Sequence, residues 1–347
     1  MNPRFSTQWP TEAQWQRGLM EWLNQQDRPC WLSWPGRDPG RHRVVVTLLH
    51  GNEPSGLKAL WSMMPNPPDC AVTTHFCIAN VDAARLEGGF VHRCRPGRAD
   101  LNRCFGRAGV GPEYELAAAI EERIRALAPE AVVDLHNTSG SGPSFAVTIA
   151  DTPEHTALAG RFTERMLHTR VRLGALMELS LPGCPVITIE CGGAMDPASD
   201  EVARAGLVRF LSDDPLLLED KGAWPLDRLK DPIRVQLAPG RAIGYGNGAI
   251  ADHDLVLPPY IERMNFGWLD AGTPLGWLGP LGLKALRVSD GIGRPEVGAL
   301  FYADEGLLRL RSPSKLFMIT TNPRIALSDC LFYMVTAQPE AASRASD

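Results

Sequence analysis

An α/β layer fold followed by a smaller β-rich region is predicted for this 347-residue chain by three observations. Apolar, β-branched runs alternate with amphipathic helical stretches up to about residue 212. Three of the runs deliver a chemically useful residue at their C-terminal end: Val44–Leu49 leads into His50, Ala131–Leu135 into His136 and Pro185–Ile189 into Glu190. From about Asp213 helical periodicity fades, Gly, Pro and Trp become dense, and short strand-like runs take over. The expected domains are therefore 1–212 and 213–338, with 339–347 a polar, disordered tail.

Residues 11–26 carry Trp15, Leu19, Trp22 and Leu23 at helical spacing, behind a Thr11/Gln14 capping box. Arg37-Asp38-Pro39-Gly40 is a turn before the first central strand, Arg43–Leu49. Ser55–Met64 reads as a helix stopped by Pro65, Pro67 and Pro68, and Thr73–Val81 as another strand. The stretch 82–111 is long, polar and glycine-rich, and holds Arg93, Arg95, Arg98, Arg103 and Arg107. A loop of that length is uncommon in a compact domain and often functional. Its arginines suit an anionic substrate or a developing oxyanion; equally, they suit a solvated loop with incidental charge.

Pro112–Leu127 is a helix with Pro in its first turn and a stripe of Leu116, Ile120, Ile124 and Leu127. The His136 strand follows, then a Gly/Ser loop from Asn137 to Pro143, a short strand Phe145–Ala150, and a helix over Thr152–His168 with His155 and His168 exposed. After the Glu190 strand, Ser199–Leu211 is the last helix of this half. The later runs are Ile233–Leu237, Asp254–Leu257, Leu307–Leu310, Leu316–Thr320 and Cys330–Val335. The phrases Phe266-Gly267-Trp268-Leu269 and Leu275-Gly276-Trp277-Leu278 are too short to make a repeat.

Composition narrows the function classes. At 44% hydrophobic and 22% charged residues the chain can bury an ordinary core. A net charge of −5 with no long single-sign run argues against a nucleic-acid partner. The absence of an 18-residue apolar run or an apolar N-terminal core predicts a soluble cytoplasmic protein with no membrane partner. Eight scattered Cys without a C-x-x-C pair predict reduced thiols rather than a cysteine–zinc site. Cys191 beside Glu190 is a candidate nucleophile, disfavoured because strand neighbours point to opposite faces.

His50 and Glu53 on one turn can meet a single metal ion, although H-x-x-E alone also describes an ordinary surface turn. Three strands each delivering such a residue at their C-terminal end, His50, His136 and Glu190, make a shared site the better reading, since that edge of an α/β sheet is where sites are built. A set of His, Glu and His leaves a tetrahedral zinc one open position, and a further Glu nearby can take a proton from water.

The ordered phrases His50-Gly51-Asn52-Glu53, Asp100-Leu101-Asn102-Arg103, Asp134-Leu135-His136-Asn137 and Ile189-Glu190 with glycines following resemble the succinylglutamate desuccinylase/aspartoacylase family, a branch of the zinc carboxypeptidase-like hydrolases. The close matches cover about 25 residues, and their arrangement spans Val44–Gly193. The resemblance implies a zinc-carboxypeptidase-like mixed sheet flanked by helices, one zinc ion per chain, and hydrolysis of the amide of an N-succinyl- or N-acetyl-type amino acid. It implies His50, Glu53 and His136 as zinc ligands and Glu190 as general base and then acid. Arg95 would polarise the scissile carbonyl, with Arg98 the fallback if the loop register slips. Asn102 and Arg103 would hold a substrate carboxylate, with Asn137 also at the substrate. The pattern departs at Ser180, where aspartoacylase-like members carry a substrate-binding arginine, which puts N-acetylaspartate itself in doubt. Two alternatives stay open, a metallocarboxypeptidase acting on peptides and a zinc- or small-molecule-binding protein without catalysis. Homo-oligomerisation is also open.

Overall fold

The computed structural model describes residues 4–138, 140–218, 226–291, 293, 295–328 and 330–337. The predicted tail 339–347 lies outside the described residues. No helix among them is long and apolar enough to cross a membrane. By compactness the chain divides into two units, Met1–Thr138 with Ser144–Leu229, and Ser139–Pro143 with Lys230–Asp347.

In chain order the first unit contains α1 (Glu12–Arg17), α2 (Leu19–Asn24), β1 (Cys30–Trp34), β2 (Asp38–Thr47), α3 (Ser55–Met63), β3 (Val72–Ile78), α4 (Val81–Ala84), α5 (Pro112–Leu127), β4 (Ala131–Thr138), β5 (Phe145–Thr148), α6 (Pro153–Gly160), β6 (Arg165–His168), β7 (Val186–Gly193), α7 (Pro197–Ser212) and β8 (Asp227–Lys230). These eight strands form one mixed sheet in the order β1-β3-β2-β4-β7-β5-β6-β8. The central strands β3, β2, β4 and β7 are parallel, while β1 runs antiparallel to β3 and β5 antiparallel to β7, with β6 parallel to β5. Side chains alternate across the pleat. Val45, Val133 and Ile187 meet Leu57 and Leu60 of α3 and Leu207 and Phe210 of α7 on one face. Val44, Val46 and Val132 meet Ala117, Ile120 and Ile124 of α5 on the other. Both faces are covered, which is why these strands read as continuous apolar runs.

The second unit holds β9 (Ile233–Leu237), β10 (Ile243–Tyr245), β11 (Leu255–Leu257), β12 (Trp268–Leu269), β13 (Pro274–Leu278), β14 (Leu286–Ser289), β15 (Phe301–Asp304), β16 (Leu307–Leu310), β17 (Ser314–Phe317) and β18 (Phe332–Thr336). They form two five-stranded sheets, β10-β11-β13-β16-β15 and β12-β17-β18-β9-β14, around Leu255, Leu257, Phe301, Leu308, Leu316 and Phe332. The two Gly-Trp-Leu phrases fall in different sheets, in β12 and β13, and make no structural repeat.

Three local expectations are corrected. The first helix is two, broken at Gly18, whose φ of 103° is open to glycine but strained for other residues. The helix expected over 152–168 stops at Gly160, and Arg165–His168 instead pairs with Ala146–Thr148 as a strand. Met166 and Leu167 are buried by that pairing, so tertiary contact overrides a helix-compatible spacing. His155 is buried rather than exposed, with Thr152 Oγ1 2.9 Å from Nδ1 and Ser180 Oγ 2.8 Å from Nε2. Ser180 therefore serves an internal contact.

Arg43 on β2 is fully buried, paired with Glu130 and donating to the carbonyls of Phe210 and Asp213 at the end of α7. Those carbonyls have no partner inside the helix and need one. Arg43→Met should cost about 3–5 kcal/mol, because the helix end loses its buried donor and Glu130 is left with Arg41 alone. Urea denaturation checks this, and a loss below about 1 kcal/mol, the scale of an exposed pair, would contradict it.

Candidate metal centre

The turn after β2 carries the first site residues. Leu48 adopts a left-handed φ of 58° and ends the strand, and α3 begins at Ser55. Between them Gly51 lies so close to the next segment that a Cβ would come within 2.6 Å of the Ala84 backbone nitrogen and 2.7 Å of Ala83. Only glycine fits there, which is why the turn can tuck His50 and Glu53 inward. His136 stands near the end of β4, and Glu190 is its register partner on β7.

His50, Glu53 and His136 are buried, at 3%, 5% and 3% exposure, and offer ligand atoms lying within 4.8 Å of one another. This group could hold a metal ion. Its orientation is consistent: His50 Nδ1 lies 2.9 Å from Glu53 Oε1, and His136 Nδ1 lies 2.6 Å from Oε2. The outer nitrogens face carboxylates, His50 Nε2 at 2.9 Å from Asp100 Oδ1 and His136 Nε2 at 2.6 Å from Asp134 Oδ2. A proton on Nε2 given to an aspartate leaves Nδ1 as a lone-pair donor aimed at the shared point.

The local field also favours a cation. Burial works against ionisation of Glu53, yet the two imidazoles outweigh it and hold its carboxyl well below the usual range. Burial likewise opposes charge on His136, but Asp134 and Glu53 raise its pKa well above 6.5. For Asp100, burial is outweighed by His50, Arg93 and Arg103, and its pKa is lowered. Glu190 is the opposite case. Burial lifts its carboxyl from 4.5 to about 7, assisted by Glu53 and opposed by His136, and its buried Oε2 has no hydrogen-bond partner. A buried carboxylate oxygen without a partner, beside a potential cation site, is poised for a ligand or a proton.

The other predicted residues divide. Asn102 is brought to the cluster, with Nδ2 3.4 Å from His136 Nε2 and Oδ1 accepting from the Leu176 amide at 2.9 Å. Arg103 donates to the Asn102 carbonyl at 2.8 Å. Arg95 is held elsewhere, paired with Asp82 at 3.6 Å. The guanidinium recorded against the cluster is that of Arg93, 3.4 Å from Glu53 Oε1 and 3.0 Å from Asp100 Oδ2. Asn137 is held by internal partners: Oδ1 accepts from the Ser55 amide, and Nδ2 donates to Ser55 Oγ and the Gly192 carbonyl. Both its N–H bonds are used inside the protein. Cys191 is buried, and burial followed by Glu190 pushes its thiol well above 9.0, which disqualifies it as a nucleophile.

Sequence reasoning gives Asp134 and Asp100 no role, and names Arg93 only among the loop arginines suited to an anionic substrate or oxyanion. Asp134 was discoverable, because it lies two positions before His136 on one strand and so on the same face. Arg93 has no local signal that separates it from the other loop arginines. Asp134→Asn should lower metal affinity about 10–100-fold. Competition with a chelator measures it, and unchanged affinity would remove Asp134 from this supporting role.

Neither a protein-family model nor a curated protein matches the chain. Solved structures do. A succinylglutamate desuccinylase/aspartoacylase from Rhodobacter sphaeroides is 13% identical with a TM-score of 0.56, each chain covered over 88%. A putative family protein from Shewanella amazonensis is 14% identical with a TM-score of 0.57, covering 88% of this chain and 94% of that one. The product-bound ectoine utilization protein EutE (DoeB) from Ruegeria pomeroyi is 15% identical with a TM-score of 0.54, covering 89% and 88%. The chain has the fold of the desuccinylase/aspartoacylase structures.

Proposed function

From that fold and a His–Glu–His group able to hold a metal ion, we propose a zinc-dependent hydrolase that cleaves the amide of an N-acyl amino acid to a carboxylate and a free amino acid. The observation that carries the reading is the convergence of both Nδ1 atoms on Glu53, with Glu190 opposite His136 in register. A bound zinc ion would supply Lewis-acid polarisation and bring the pKa of water to about 7. His50, Glu53 and His136 are the residues that would hold it.

The chain's own groups then carry the proton and the substrate. Glu190, with a pKa near 7, takes a proton from the attacking water and returns it to the leaving amine nitrogen. Arg93, 3.4 Å from Glu53 Oε1, takes over the charge-stabilising role expected of Arg95. Asn102 and Arg103 are assigned to the substrate's α-carboxylate. Arg103→Ala should raise KM about 10-fold or more with little change in kcat, the signature of uniform binding. An equal loss on a substrate analogue lacking the carboxylate would contradict that role.

The test is amine release by zinc-loaded protein from N-acetyl, N-succinyl and N-formyl amino acids. Hydrolysis of one acyl class supports the proposal. No release from any of them, with zinc bound, refutes it.

A further inference from the structure

Asn137 sits near the end of β4, where it meets β7 and the start of α3. Its side-chain oxygen accepts from the Ser55 amide at 3.1 Å, at the start of α3. Its side-chain nitrogen donates to Ser55 Oγ at 2.9 Å and to the Gly192 carbonyl at 3.0 Å, two residues past Glu190. Its backbone amide lies 3.3 Å from Glu53 Oε2. The site is also where the β4–β7 ladder slips: His136 pairs with Glu190 but Thr138 pairs with Gly193, leaving an extra residue on β7. Gly192 has a φ of 115° there. Bulges of this kind re-aim side chains beside active sites.

The chain of contacts continues outward. Ser55 is fully buried and its Oγ donates to Asp200 Oδ1 on α7 at 2.6 Å. That acceptor fixes the hydroxyl proton toward Asp200 and leaves a lone pair for Asn137. Lys58 pairs with the other oxygen, Oδ2, at 3.1 Å, as a partly exposed ion pair.

We propose that Asp200, Ser55 and Asn137 form a positioning relay that locks the Glu53 turn to the Glu190 strand, and so sets the geometry of the metal group. Asp200 and Ser55 would touch neither metal nor substrate. The proposal rests on the metal reading above, and its test uses zinc alone.

Zinc affinity is measured by chelator competition on the full chain, with the absorption spectrum of the cobalt-substituted protein alongside. Ser55→Ala strands an Asn137 N–H, and should weaken zinc binding 10–100-fold and change the cobalt spectrum. Asp200→Ala should weaken it about 10-fold. Asp200→Asn keeps an oxygen acceptor for Ser55 and should restore affinity to within about 3-fold of wild type. Lys58→Met breaks only the outer ion pair and should also stay within about 3-fold. Melting curves of the metal-free proteins show that each variant folds. Wild-type affinity and spectrum in both alanine variants would overturn the relay alone. So would equal losses in Asp200→Asn and Lys58→Met, which would locate the effect in the ion pair. A wild-type protein that takes up no zinc would overturn the metal reading and the relay with it.

Discussion

Glu190→Gln is expected to reduce turnover by about 10²–10⁴-fold, the usual worth of a positioned general base, while leaving zinc content unchanged. The amide has the shape of the carboxyl but cannot accept a proton at neutral pH. The same substitution should stabilise the metal-free protein at high pH. Burial raises the folded-state pKa of Glu190 from 4.5 to about 7, so the folded chain holds this proton more tightly than the unfolded chain does. Between those values the native state binds more protons, and stability falls as pH rises. At roughly 1.4 kcal/mol per pH unit the penalty reaches about 3 kcal/mol above pH 7. Glutamine carries no charge to bury and escapes it. Melting curves at pH 5 and pH 8 should show the variant gaining on wild type only at the higher pH. A gain that is equal at both would mean that Glu190 is not held neutral by burial. Retained turnover would mean that another group is the base.

His136→Ala is expected to abolish stoichiometric zinc binding. It removes one of the two imidazoles proposed to hold the metal, and leaves the buried Asp134 and Glu53 without the partner that lies 2.6 Å from each. Breaking such a buried pair from one side costs about 3–5 kcal/mol, so the metal-free variant should also melt lower. His155→Ala is the control. His155 is also buried, but it sits against Thr152 and Ser180 rather than the cluster. That variant should keep its zinc. Metal analysis after gel filtration decides between them, and a zinc-replete His136→Ala would remove His136 from the ligand set.

The strands that carry the site were legible because they are buried on both faces. Val44–Val46, Val132–Val133 and Val186–Ile189 appear in the sequence as apolar runs, each ending in a polar residue that needs a reason to be there. The metal group was legible for that reason. Edge strands were not: β1, Cys30–Trp34, has no clean alternation, and β6 looks helical until its pairing with β5 is known. The residues that support the site were hidden because distance in sequence hides them. Asp200 reaches Ser55 across 145 positions, and Arg93 is told from Arg95 by which way a loop turns rather than by residue type.

Amine release against zinc equivalents, added to metal-stripped protein with the best N-acyl amino acid of the panel, tests the central claim most directly. The account predicts no release without metal and a rise that saturates at one zinc per chain. Undiminished release from metal-free protein, or none at saturating zinc, would contradict it.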